Sequence, residues 1–147
     1  MNRVDPLKIL IVEDEALLAM ELEDIVHESG HTVIGCAASF RDATEILTSQ
    51  EPDVALVDIN LTDGPTGIDV ARYIGEQCKS TVVFLTANPK RIPTDFAGAL
   101  GVIAKPYTVN GLMAALQYVE EGVRRPPPGS RRPVGFNLSP AYSAIWG

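Results

Sequence analysis

Five short apolar runs recur along this chain, and each is followed by a stretch with helical spacing or a short turn-rich segment. The runs are residues 8–12 (Lys-Ile-Leu-Ile-Val), 32–38, 54–57, 81–85 and 101–104. They are too short for helices and rich in β-branched residues, as buried parallel strands are. Between them, residues 16–28 set Leu17, Leu18, Met20, Leu22, Ile25 and Val26 among glutamates, with Gly30 as a stop. Ser39 is placed to cap a helix over 40–49, and further helices are expected over 68–77 and 109–123. Pro89 and Pro93 forbid one long helix over 87–100, so only a late, short one starting near Pro93 is expected there. Sequential βα units imply an α/β fold, a doubly wound five-stranded parallel sheet with five helices, the fourth short or irregular.

The ends of the runs carry the chemistry. Residues 8–12 stop at Glu13-Asp14-Glu15, 54–57 at Asp58, 81–85 at Thr86, and 101–104 at Lys105-Pro106-Tyr107. In an open doubly wound sheet, residues beyond the carboxyl ends of the strands converge in one crevice. Three carboxylates gathered there repel one another unless a cation joins them. Mg²⁺ is a hard ion that takes carboxylates, carbonyls and phosphate oxygens, which suits Glu13, Asp14, Asp58 and the backbone carbonyl of Asn60. Asp58, alone at its strand end, is the candidate nucleophile toward phosphorus. Lys105 and Thr86 supply the cation and hydroxyl that a phosphoryl group needs. Glu15 reads as a first-turn helix residue facing the dipole.

Four motifs, Val12-Glu13-Asp14-Glu15, Val57-Asp58-Ile59-Asn60-Leu61, Phe84-Leu85-Thr86-Ala87-Asn88 and Ala104-Lys105-Pro106-Tyr107, resemble the response-regulator receiver family of two-component systems. The resemblance spans residues 7–123. It implies a flavodoxin-like fold of strand order 2-1-3-4-5 and phosphorylation of Asp58 by a sensor histidine kinase or phosphotransfer protein. It further implies slow self-catalysed hydrolysis, a cis Lys105–Pro106 bond, and movement of Thr86 and Lys105 to the phosphoryl oxygens. Such a chain is a signalling switch rather than an enzyme acting on a separate substrate. Two features depart from the family pattern: Val102 stands where an aromatic residue is usual, and Pro89 and Pro93 interrupt the fourth helix. The expected signal route is therefore backbone rearrangement over residues 86–98.

Composition limits the partners. The chain has 19 acidic and 12 basic residues, and four of the basic ones, Arg124, Arg125, Arg131 and Arg132, fall beyond residue 123. The body, 1–123, thus keeps 8 basic against 19 acidic residues, and no nucleic-acid or membrane partner is expected. No apolar run approaches the roughly 20 residues of a membrane span, and a cytoplasmic location is expected. Residues 124–147, with Pro126-Pro127-Pro128-Gly129, form a tail that is either flexible or docked through Phe136, Leu138, Tyr142, Ile145 and Trp146. No output domain fits in that tail, so output is expected through a downstream protein target, with phosphorylation-dependent dimerisation left open. Cys36 and Cys78 read as buried thiols, and His27 and His31 as surface residues without a ligand role.

Other classes fit less well. A small Mg²⁺-dependent phosphatase needs a second aspartate two residues past its nucleophile and a cap over the substrate, whereas this chain has Asn60 there. A nucleotide- or flavin-binding module needs a glycine-rich phosphate loop after the first strand, where this chain places acids. A constitutive interaction module with an intact but unused pocket is the remaining alternative.

Overall fold

The computed structural model describes residues 5–146. Strands β1 (Lys8–Val12), β2 (Thr32–Ala37), β3 (Val54–Asp58), β4 (Thr81–Thr86) and β5 (Gly101–Ala104) alternate with helices α1 (Ala16–Glu28), α2 (Phe40–Leu47), α3 (Gly67–Gln77) and α4 (Val109–Arg124). The order across the sheet is β2-β1-β3-β4-β5-β6, with β1 to β5 all parallel. The flavodoxin-like order 2-1-3-4-5 is present. No helix of the described residues is long and apolar enough to cross a membrane.

Side-chain alternation along the strands divides the core in two. Ile9, Ile11, Leu56, Val83 and Ile103 pack with α1 and α4, while Leu10, Val12, Ala55, Val57 and Phe84 pack with α2 and α3. The central strands are apolar on both faces because both faces are covered. Side chains cap two helices as local chemistry requires: Ser39 Oγ accepts the Asp42 N–H of α2, and Thr108 Oγ accepts the Gly111 N–H of α4. The Lys105–Pro106 bond is cis, as is Pro126–Pro127.

Several expectations are corrected. The sheet has six strands rather than five: β6 (Phe136–Leu138) comes from the tail and pairs antiparallel with β5, followed by α5 (Pro140–Trp146). The tail is docked, with Phe136 buried and its ring 5.6 Å from that of Tyr118. No α-helix forms between β4 and β5. The short helix expected near Pro93 is replaced by two single 3-10 turns, Pro89–Arg91 and Phe96–Gly98. Prolines remove the amides a helix would need. Phe96, Ala97 and Gly98 then take left-handed φ values of 54°, 51° and 81°. That strained course is held by Asp95, whose carboxylate accepts the Ala97 N–H and pairs with Arg72 of α3.

Neither cysteine is fully buried: Cys36 is exposed and Cys78 half-buried, both as free thiols. The β2 edge faces solvent at position 36, which a short apolar run does not disclose. Leu17 and Met20 lie on the outer face of α1, 80% and 62% exposed, so only part of the apolar spacing faces the core. His31 is also not a surface residue. It is buried, and its Nδ1 accepts the Leu7 N–H at 3.2 Å.

Candidate phosphoacceptor pocket

The crevice at the carboxyl ends of β1, β3, β4 and β5 brings together most of the side chains singled out above. Glu13 continues the β1 ladder, its N–H donating to Ala37 O at 2.8 Å, and this turns its side chain inward, only 1% exposed. Asp58 ends β3 with its side chain 13% exposed, open enough for a reacting group to approach. Asp14 is half-buried beside them. One carboxylate oxygen from each of Glu13, Asp14 and Asp58 lies within 4.8 Å of the others.

Lys105 joins this cluster from β5. Its Nζ donates to Glu13 Oε1 at 3.1 Å and to Asp58 Oδ2 at 3.0 Å. Its backbone N–H donates to Thr86 O at 2.9 Å, so main chain and side chain are fixed together. Burial alone would lower the lysine pKa, but hydrogen bonds and charge from Asp58 and Glu13 outweigh it and hold the ammonium above its ordinary range. Burial pushes the Glu13 carboxyl upward, assisted by the Asp58 charge and opposed by the Glu15 N–H and Lys105. Glu13 therefore lacks full compensation for its charge.

Three carboxylates against one ammonium form an oxygen-rich, negatively charged donor set that fits a hard divalent cation. Asn60 sits two residues past Asp58 at an exposed loop position. Thr86 is buried, and its Oγ accepts the Asn88 N–H at 3.0 Å, which leaves its own O–H to donate. Tyr107 packs partly against the α1–α4 core, and burial pushes its hydroxyl up to about 12. It has no proton to exchange near neutrality.

Sequence reasoning missed Gly67. The α3 amide at Gly67 donates to Ile59 O at 2.9 Å, and a Cβ there would lie 2.0 Å from Asp58 O. Only glycine lets α3 begin so close to the end of β3, and this shapes the loop in front of the acceptor. The readable signal was Asp63-Gly64-Pro65-Thr66-Gly67 itself, which marks a turn but not which glycine is sterically required. Asp63 braces the same loop, accepting the Phe40 N–H at 3.1 Å and the Thr66 hydroxyl at 2.5 Å. A surface depression of about 680 Å³ lies elsewhere, along α4 from Asn110 to Arg124 and bordered by Ser29 and His31.

Comparison with known proteins agrees with this geometry. Residues 9–117 match the family model described as the response regulator receiver domain. The chain is 36% identical over 123 residues to the phyllosphere-induced regulator PhyR of Methylorubrum extorquens, covering 80% of this chain and 46% of that protein. It thus spans about half the length of that relative. The solution structure of the Erythrobacter litoralis PhyR receiver domain superposes with a TM-score of 0.71 at 33% identity, covering 78% of this chain and 90% of that one. The crystal structure of PhyR from Bartonella quintana, described as an anti-anti-sigma factor, superposes with a TM-score of 0.66 at 30% identity, covering 81% and 51%. With its four strand-end motifs in one crevice and most of its length matched, the chain belongs to the response regulator receiver domain family.

Proposed function

We propose that Asp58 accepts a phosphoryl group from a phosphohistidine on a sensor kinase or phosphotransfer protein, and that the acyl phosphate changes which protein the chain binds. The observation that carries this reading is the Lys105 ammonium shared by Glu13 and Asp58, with Asp14 in the same cluster. An Asp58 carboxylate oxygen attacks phosphorus, the bond from phosphorus to the imidazole nitrogen breaks, and its electron pair leaves with the imidazole. Lys105 orients the attacking carboxylate through its 3.0 Å contact, then exchanges that contact for the phosphoryl oxygens. Thr86, whose O–H is not committed to the Asn88 amide, donates to the same oxygens. Mg²⁺ bound by Glu13, Asp14, Asp58 and the Asn60 carbonyl would neutralise charge on the transferring group.

The chain then acts as a switch, catalysing only its own phosphorylation and slow hydrolysis, and shifting between two conformations. Residues 86–98 are suited to carry the change. Thr86 holds the first turn through Asn88, and the stretch at Phe96–Gly98 lies in the left-handed region that Phe96 and Ala97 adopt only at a cost. Val102, buried between its strand partners Phe84 and Asn137, has no ring to turn, so the route runs through the backbone instead. A protein target in the cytoplasm fits the acidic body and the similarity to an anti-anti-sigma factor.

The test is the intact mass of the full chain after incubation with Mg²⁺ and acetyl phosphate. One added phosphoryl group on the native chain and none on Asp58→Asn is the expected result. Equal labelling of both would assign the acceptor elsewhere.

A further inference from the structure

The last edge of the sheet is closed by the chain's own tail. β6 pairs with β5 in the register Gly101↔Leu138, Val102↔Asn137 and Ile103↔Phe136. Ala104 N–H donates to Gly135 O at 3.0 Å and Ser139 N–H to Leu100 O at 2.8 Å, which frame the pairing at both ends. The body is shaped to receive this segment at two glycines. A Cβ at Gly101 would lie 2.3 Å from Asn137 O, and one at Gly122 of α4 would lie 2.2 Å from the Trp146 ring. Tyr118 of α4 meets both Phe136 and Trp146 edge to face, with centroids 5.6 and 6.0 Å apart.

The closure is anchored by few residues, with Phe136, Leu138 and Ser139 buried. β6 is three residues long, α5 buries none of its residues, and Val134 and Ile145 point into solvent. Short edge strands of this kind protect a sheet from pairing with other chains and are also where partner strands add. The tail also abuts the pocket. Ala104, whose amide holds Gly135, directly precedes Lys105, and β6 lies on the opposite side of β5 from β4 and β3. The hydrogen bond that holds Gly135 is therefore one peptide away from the Lys105 main chain, which itself donates to Thr86 O.

We propose that the β5 edge and the adjoining face of α4 are a docking surface for an extended partner segment, that β6–α5 occupies it as a built-in competitor, and that phosphorylation of Asp58 releases the tail. The partner segment runs antiparallel to β5 and carries large apolar side chains at alternate positions, as Phe136-Asn137-Leu138 does, with a bulky aromatic residue a few positions on. The docking surface stands on the tail contacts alone; the release step rests on the phosphoacceptor reading.

A fluorescent peptide copying residues 133–146 serves as the probe, with the full-length chain as the receptor. Two separate tail variants, Phe136→Ala and Trp146→Ala, each remove one tail ring that meets Tyr118 and keep every residue of β5 and α4. The peptide should bind at least one of them at least about tenfold more tightly than the unphosphorylated native chain. Native chain carrying one phosphoryl group, verified by intact mass, should bind like the variants, and its Ala104 and Ser139 amides should exchange about tenfold faster. No peptide binding to either variant overturns the docking surface. Undiminished amide protection in chain shown by mass to be phosphorylated overturns the release step while leaving the phosphoacceptor reading standing. A phosphorylated dimer with those amides still protected means that tails are exchanged between two copies, which overturns the free edge. If no phosphoryl group is taken up, the release step falls with that reading, and the peptide arm still decides the surface.

Discussion

At the carboxyl ends of the strands, Glu13, Asp14 and Asp58 cluster around one ammonium that pairs with Glu13 and Asp58 only, whereas at the amino ends polar groups are matched closely. There Asp53 accepts the Lys8 N–H at 2.8 Å, His31 accepts the Leu7 N–H at 3.2 Å, and Glu120 pairs with Arg124 at 2.9 Å. The two ends belong to the same sheet and differ by only the length of a strand. One end carries an excess of charge that a ligand can relieve; the other is closed by its own side chains. Electrostatic frustration of the first kind costs folding stability and makes a binding site, while matching of the second kind stabilises and leaves little to react. Substitutions at the two ends should therefore have opposite profiles.

The largest effect is expected from Lys105→Met. It removes the only cation that touches Glu13 and Asp58 among the described residues, so the rate of phosphorylation from acetyl phosphate should fall by about 10²–10³, the usual loss for one preorganised charged partner. Stability without Mg²⁺ should also fall, because two partly buried carboxylates are left facing each other. Unchanged phosphorylation kinetics in this variant would remove the distinction between the two ends.

Next in size is the response to Mg²⁺ itself. An ion that binds only the folded chain stabilises it by about 2.7 kcal/mol at a concentration about a hundredfold above its Kd. The thermal midpoint of the native chain should rise accordingly, and Asp14→Asn should abolish most of the rise while leaving the metal-free midpoint equal or higher. A midpoint indifferent to Mg²⁺ in the native chain would mean that the three carboxylates do not form an ion site.

Asp53→Ala probes the closed end. It leaves the Lys8 N–H without its side-chain acceptor and should cost about 1 kcal/mol in urea unfolding, the usual net worth of such a bond. Phosphorylation of Asp58 should be untouched, since Asp53 precedes β3 and Asp58 ends it. A loss of phosphorylation with full stability would reverse the assignment of the two ends.

How much of this could be read from the sequence follows from the range of the interactions. The five parallel strands and the pocket residues were legible because each is announced locally, by an apolar run and the polar residue that ends it. Asp58, Glu13 and Lys105 meet because topology alone brings strand ends together. The sixth strand was not legible, since Phe136-Asn137-Leu138 is too short to show a period and gains its partner only from the exposed edge of β5. Gly67 escaped for a similar reason: what requires glycine is the Asp58 carbonyl, nine positions earlier in the chain. His31 was misread because a histidine beside a glycine at a strand start looks solvated, whereas its ring is covered by α4 and satisfies the Leu7 amide.

That buried histidine yields the smallest expected effect and the finest test of the closed end. Burial holds the His31 imidazole below its ordinary value of 6.5, against the pull of the Glu120 carboxylate 3.4 Å from Nε2 and with help from the Arg124 charge. The unfolded chain therefore takes up a proton at this position more readily than the folded one. Stability contributed by the neutral ring is present above about pH 6.5, is lost as the pH falls through that value, and levels off once the folded ring is protonated as well. Protonation also turns Nδ1 from an acceptor into a donor, so the Leu7 N–H loses its partner. Urea midpoints measured between neutrality and mild acid should fall for the native chain more steeply than for His31→Gln, whose side-chain carbonyl can accept from Leu7 at every pH. Equal slopes in the two proteins would mean that the fold does not disfavour the protonated ring, and a shallower fall in the native chain would mean that Glu120 stabilises the charged ring, which would make the amino end a charged site like the carboxyl end rather than its neutral counterpart.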